Sequence, residues 1–290
     1  MAHQHEHKGS GNLKIAFFLN LGFTIFEFIG GFYVNSIAII SDALHDLGDS
    51  ISIGLSWYLD EKSKQEATTN FTFGYKRFSL LGALINSLVL IAGSIFVIKA
   101  AVGRVLEPQH TDATGMLLFA IVGVTVNGYA AWRTSKGETL NERVISWHLL
   151  EDVLGWSAIL IGSIILLFWD SHYLDPALAI LITLYILWGI IKRLKETLYI
   201  FLQGKPEDID LEEVKLRLGN VARVNSLHHT HIWSLEGEHN VFTTHVVLNE
   251  INTFNDILEV KREIKDILKG YEFSHYTVEV ELNEETCSLR

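Results

Sequence analysis

Two His-x-x-x-Asp pairs, His45 with Asp49 and His148 with Asp152, lie inside long apolar stretches of this 290-residue chain. On an α-helix, residues four apart share a face one turn from each other. Each pair therefore offers an imidazole and a carboxylate from one stripe. Two such stripes facing one another supply the four nitrogen and oxygen ligands that tetrahedral zinc accepts. An isolated polar residue in a membrane helix commonly serves as a packing hydrogen bond. Two pairs at identical spacing argue for more, because a charged side chain at the bilayer centre costs roughly 2.5–3.5 kcal/mol on insertion scales. The first pair has acidic company: Asp42, His45, Asp46 and Asp49 share one broad helical face, so two of these carboxylates are suited to orienting ligands from behind. Glu151, beside Asp152, falls on a different part of its helix and reads as solvated or interfacial.

The elements that must position these residues are apolar segments of about 20 residues, the length needed to cross a bilayer. Six can be marked: Leu13–Val34, Ile37–Leu59, Phe78–Gly103, Thr114–Trp132, Val144–Trp169 and Leu174–Ile191. Pro108 and Pro176 lie at or beyond segment ends, where helices stop. The connections alternate in charge. Lys8, Lys14, Lys62, Lys64, Lys76, Arg77, Arg133, Lys136, Arg143, Lys192, Arg193 and Lys195 fall on one side, and little beyond Arg104 and Lys99 on the other. By the positive-inside rule both termini are cytoplasmic.

Composition agrees with a membrane protein: 49% of residues are hydrophobic and mean hydropathy is +0.25, concentrated in the first two thirds. The net charge of −11 leaves no basic footprint for nucleic acid. A single cysteine, Cys287, excludes an internal disulfide and a thiolate cluster, so metal chemistry is expected to rest on His and carboxylate alone. The polar, His-rich start lacks the short apolar core and cleavage site of a secretory signal, so the first helix is expected to be retained.

From about Gln203 the chain turns polar. Asp208–Leu218 reads as a helix, Val221–Ser234 as a strand and Gly237–Asn240 as a turn. Val241–Leu248 alternates as a second strand, Phe254–Leu268 carries a helical apolar stripe, and Thr277–Leu282 alternates again. The expected fold is a membrane all-α bundle of six transmembrane helices followed by a small C-terminal α+β domain of α-β-β-α-β order. The expected boundaries are a His-containing tail over 1–12, the helical domain over 13–202 and the polar domain over 203–290.

The stretch from Gly30-Gly31 through Asn35-Ser36 to Ser41-Asp42-Ala-Leu-His45-Asp-Leu-Gly-Asp49 resembles the second-helix signature of the cation diffusion facilitator family. Phe73-Gly74-Tyr75-Lys76-Arg77 is similar to that family's entry to the third helix, and His148-x-x-x-Asp152 to its fifth-helix motif. His231-Ile-Trp233-Ser and Thr244-His245-Val246 look like its cytoplasmic domain. The likeness covers almost the whole chain in order. It implies six transmembrane helices, a cytoplasmic metallochaperone-like domain, a homodimer in the membrane lipid, and divalent metal export driven by proton antiport. Within the family, His at position 45 goes with a preference for zinc. The chemistry agrees, since two imidazoles with two carboxylates suit tetrahedral zinc, whereas manganese or magnesium favour more oxygen ligands. Cadmium, cobalt and nickel stay open. A zinc-gated channel or a membrane metal sensor without proton coupling is the alternative. An enzyme is disfavoured, because catalytic zinc keeps three protein ligands and an open position. The small size and absent targeting signals favour a bacterial inner membrane.

The same resemblance makes His228 and His245, with Glu281 from the last strand, candidate ligands of a regulatory zinc in the cytoplasmic domain. His275 and Glu279 are weaker alternatives to Glu281. His229 and His239 are weaker candidates too, and for His231 a hydrogen-bonded core histidine is the competing reading. His3, His5 and His7 form a short tract of the kind that collects metal. The loop over 65–75 carries aromatics where some relatives carry a metal-binding His, so no site is expected there. Gly22, Gly30, Gly31, Gly48, Gly54, Gly82 and Gly93 permit close helix approach.

Overall fold

The computed structural model describes residues 6–63, 67–135, 140–169, 171–282 and 287, with side chains apart from those of 6–16, 53, 56–57, 59–63, 133–134 and 140–148. His3, His5 and His7 lie outside the described residues. The chain forms two compact units, Met1–Lys64 with Gly82–Leu194, and Gln65–Leu81 with Lys195–Arg290.

Six long helices come first among the described residues: α1 (Glu6–Tyr33), α2 (Ile37–Ser63), α3 (Phe78–Leu106), α4 (Ala113–Thr134), α5 (Leu140–Phe168) and α6 (Leu174–Phe201). Four of them, α3 to α6, contain stretches long and apolar enough to cross a membrane. The signal is weaker for α1, whose described apolar run is Phe17–Tyr33, and for α2, which Asp42, Asp46 and Asp49 interrupt. Large apolar side chains such as Ile29, Phe96, Ile161, Leu181 and Trp188 face outward. A helix apolar on its outer face as well as its inner one suits a lipid surround.

The start of α2 is fixed with care, and it lies two turns before His45. Asn35 turns the chain with φ 57°, a left-handed conformation that Asn tolerates better than most residues. Asp175, at the start of α6 and 1% exposed, accepts from Ser36 Oγ at 2.5 Å and from the amides of Ile37 at 2.8 Å and Ala38 at 3.3 Å. A carboxylate on the free amides of a helix N-terminus is held by both hydrogen bonds and dipole. Arg104 of α3 donates to the backbone and side-chain oxygens of Asn35 and faces Asp175 Oδ2 at 3.8 Å.

Small residues bring the helices together. A Cβ at Gly123 of α4 would lie 2.0 Å from the buried Trp156 ring of α5. On α2 and α3 the contacts are reciprocal, Gly48 against Leu90 and Gly93 against Leu44. Gly22 faces open space, so it makes no such approach.

The second unit carries α7 (Leu211–Gly219), β1 (Val224–Ser234), β2 (Asn240–Leu248), α8 (Phe254–Lys269) and β3 (His275–Leu282). The sheet order is β1-β2-β3, with β1 and β2 antiparallel and β2 and β3 parallel across the α8 crossover. Alternation sorts the strands into two faces. Phe242, Val246 and Leu248 join Val214 and Leu218 of α7 and Val260, Ile264 and Leu268 of α8 in one core. The helix α7 begins at Leu211, later than the pattern suggests, because Asp210 caps it by accepting from Glu212 and Glu213 amides. Gly237, with φ 115°, makes the hairpin turn.

Candidate metal centre

His45 stands on α2 with its Nε2 3.7 Å from Asp49 Oδ2, one turn along the same helix. The same nitrogen lies 3.9 Å from Asp152 Oδ1 on α5. The two helices thus bring three of the four sequence-marked residues together within the bundle. His148 lies on α5 one turn before Asp152, and its side chain lies outside the described residues. Asp42 and Asp46 are buried beside them. Gly155 makes room for Asp42, whose Oδ1 would be 3.3 Å from a Cβ at that position. On its far side α2 is tied to α1 by Asn20, whose Nδ2 donates to Asp46 O and Ser50 Oγ at 3.0 Å each. Toward α6, Ser41 and Thr183 share a 2.8 Å hydroxyl hydrogen bond.

A cavity of about 360 Å³ reaches this cluster. Asp42, His45, Glu151, Asp152 and Arg193 are among the residues that line it. Glu151 and Arg193 lie toward the α5 N-terminus and α6 C-terminus, the ends adjoining the basic connections. Glu151 is exposed, in keeping with a solvated role.

The sequence reading missed Glu27. This residue of α1 is fully buried and faces Asp46 and Asp42. A glutamate between Phe26 and Phe28 in an apolar run is itself a signal, by the same rule that marks any ionisable residue in a membrane helix.

The second unit gathers a separate cluster on the sheet face opposite its helices. His228 of β1 and His245 of β2 are direct cross-strand partners. His245 Nδ1 lies 2.6 Å from Glu281 Oε1, and His228 Nε2 lies 3.2 Å from Glu281 Oε2. The hydrogen bond from His245, aided by the positive potential of both imidazoles, holds the Glu281 carboxyl below its ordinary range. Glu279 approaches the other His245 nitrogen, Nε2, at 3.5 Å. A register shift between His228 and His231 brings the His229 ring 5.2 Å from those of both His228 and His245.

Several expectations are corrected here. His231 is exposed and not a core histidine, because the same irregularity sets it opposite Thr243 and leaves it on the surface. His275 is not in the cluster; its ring packs against Phe73 at 5.5 Å. His239 pairs with Glu236 near the hairpin turn, and with Glu238 these form a separate acidic group. Cys287 is not remote from metal chemistry: its Sγ lies 3.8 Å from His245 Nδ1, within the His228–His245–Glu281 cluster. A lone cysteine forms no thiolate cluster, but it can join imidazoles and a carboxylate.

Fold and sites together define a helical membrane protein with buried histidine and carboxylate side chains and a polar α/β domain. Residues 13–202 match the model of the cation efflux transmembrane domain, and residues 206–283 that of the cation efflux protein cytoplasmic domain. The chain belongs to the cation efflux, or cation diffusion facilitator, family, a family of transporters rather than enzymes. It is 32% identical to the cadmium, cobalt and zinc/H(+)-K(+) antiporter of Bacillus velezensis, over 97% of this chain and 92% of that protein. It is 34% identical to the metal cation efflux system protein CzcD of Cupriavidus metallidurans, over 97% and 90%. To the zinc transporter ZitB of Escherichia coli it is 29% identical, over 97% and 93%. Among solved structures, the metal-bound C-terminal domain of the Cupriavidus CzcD transporter is 33% identical, covering 26% of this chain and all of that one, with a TM-score of 0.23.

Proposed function

We propose that this protein exports divalent metal, zinc foremost, in exchange for protons, by alternating access around His45, Asp49, His148 and Asp152. The observation that carries the proposal is the approach of His45 to carboxylates from two helices, Asp49 on α2 and Asp152 on α5. Tetrahedral zinc takes ligands of this type, and the antiport, metal efflux and zinc transport named for the relatives agree. Cadmium and cobalt are further substrates of this ligand set, with nickel open.

The ligands hold metal only when the imidazoles are neutral and the carboxylates ionised, so protons and zinc compete for the same atoms. When the site faces the cytoplasm, zinc loads and protons leave. When it faces the other side, at higher proton activity, protonation discharges the ion and resets the carrier. Histidine is the main proton acceptor, since its unperturbed pKa of about 6.5 is nearest working pH. Loading proceeds through the cavity that Glu151 and Arg193 line.

The protein works as a homodimer with six spans in a bacterial inner membrane and both termini in the cytoplasm. The basic connections support that orientation. Metal held by His228, His245 and Glu281 stiffens the cytoplasmic dimer and reports metal in that compartment. His228→Ala is expected to change the dependence of transport on cytoplasmic metal.

Reconstituted protein tests the main reading. Saturable zinc uptake by proteoliposomes is expected, and it should vanish in Asp152→Ala with helical content unchanged. Wild-type-like uptake by that variant removes the transport-site assignment. Flux indifferent to a pH gradient would favour a channel.

A further inference from the structure

We infer that Cys287 is a fourth ligand of the cytoplasmic cluster, closing it as a thiolate site with His228, His245 and Glu281 that takes softer divalent ions, zinc and cadmium. The inference rests on the reading of that cluster as a metal site and adds the donor that sets its preference.

The donors are already gathered. One ligand atom from each of the four residues lies within 4.8 Å of the others. Glu281 spans the two imidazoles, one carboxylate oxygen toward each. The Cys287 sulfur lies on the same side of the His245 ring as Glu281, near Nδ1 at 3.8 Å. The opposite nitrogen, Nε2, faces Glu279. That division gives His245 a ligand atom and an orienting partner, the arrangement by which carboxylates fix the tautomer of metal-bound imidazoles. Three of the four residues are anchored in adjacent strands, which holds them at the spacing of the sheet. Cys287 is five positions past the last residue of β3, and its half-buried side chain meets the ligand face of the sheet rather than its core.

The donor set has a chemical consequence. Two nitrogens, one carboxylate oxygen and one sulfur complete four-coordinate geometry, the closed form of a structural zinc site. Thiolate shifts preference toward soft ions and away from manganese or magnesium. Binding requires the thiol to lose its proton to solvent as the sulfur–metal bond forms. The bound ion then ties Cys287 to β1, β2 and β3, which couples metal in the cytoplasm to order in this domain.

Cys287 is the one cysteine in the sequence, so any metal–thiolate signal identifies it. The test is a cobalt titration of the purified full-length protein carrying Asp49→Ala and Asp152→Ala, which disable the transport pair. The same titration is run with Cys287→Ser or His228→Ala added. A sulfur-to-cobalt charge-transfer band is expected, lost in Cys287→Ser, together with a fall in affinity at least as large as the roughly 10–100-fold that losing a residue behind a ligand costs. Zinc is also expected to slow alkylation of the thiol. Cobalt d–d bands that depend on His228, with no charge-transfer band and equal affinity in Cys287→Ser, would overturn the thiolate while leaving the cluster a metal site. No His228-dependent cobalt binding would overturn both.

Discussion

His45 on α2 and Asp152 on α5 meet across the helical bundle, Nε2 to Oδ1 at 3.9 Å. Neither helix alone offers more than one imidazole, His45 on α2 and His148 on α5. The approach of the two helices brings His45 to a carboxylate on each, so the geometry of the proposed centre depends on how α2 and α5 sit against each other. That sensitivity is what an alternating-access carrier requires.

Replacing either carboxylate removes one of the proposed ligands. Asp49→Ala and Asp152→Ala are expected to reduce zinc transport to background, with circular dichroism and elution volume unchanged. Residual transport near the wild-type rate in both would show that the ion uses other residues.

Asp175 accepts from the Ser36 hydroxyl and from the amides of Ile37 and Ala38, and it faces Arg104. Truncating one member of a buried pair costs about 3–5 kcal/mol, because the other charge is left uncompensated. Asp175→Ala should therefore lower the thermal unfolding temperature in detergent sharply, and the double variant Asp175→Ala with Arg104→Met should recover part of the loss. Equal unfolding temperatures for wild type and Asp175→Ala would rule out an anchoring role.

The Gly123–Trp156 contact leaves no space for a side chain. Overpacking of a filled interior costs about 1–3 kcal/mol, so Gly123→Leu should destabilise the α4–α5 pair. Trp156→Ala in the same background should relieve the clash. Stability of Gly123→Leu equal to wild type, read by thermal unfolding, would contradict the packing.

In the C-terminal α/β domain Thr253 and Asp256 form a capping box at the start of α8. Thr253→Ala should cost about 1 kcal/mol, seen as faster deuterium exchange of α8 amides in the full-length protein. Asp256 accepts from the Asn252 and Thr253 amides at 2.9 and 2.8 Å, and these bonds hold its carboxyl below the usual range. A folded-state value below the unfolded one means that the contribution is complete above the unfolded value near 3.9 and is lost as pH falls through the folded value. Protection of α8, corrected for intrinsic exchange, should fall over that acidic window in the wild type and show no such step in Asp256→Ala.

Much of this architecture was legible because bilayer length and helical period leave strong marks. All six apolar segments became helices within a few residues of their marked starts, apart from longer ends where polar turns extend α1, α2 and α6. The α-β-β-α-β order followed from alternation and from the stripe Ile257, Val260, Ile264 and Leu268. What escaped lacked a repeating pattern. Glu27 has no partner four residues away, so a search for paired ligands passes over it. Cys287 follows the last strand, and only folding brings it to His245. The exposure of His231 depends on a strand irregularity after His228 that alternation does not reveal.

Zinc flux into proteoliposomes, with and without an imposed pH gradient and with manganese as the comparison ion, separates a proton-coupled carrier from its alternatives. Saturable flux that prefers zinc, rises with the gradient and is lost in Asp152→Ala is expected. Zinc flux that ignores the gradient, or survives the loss of Asp152, would contradict a proton-coupled carrier that uses Asp152.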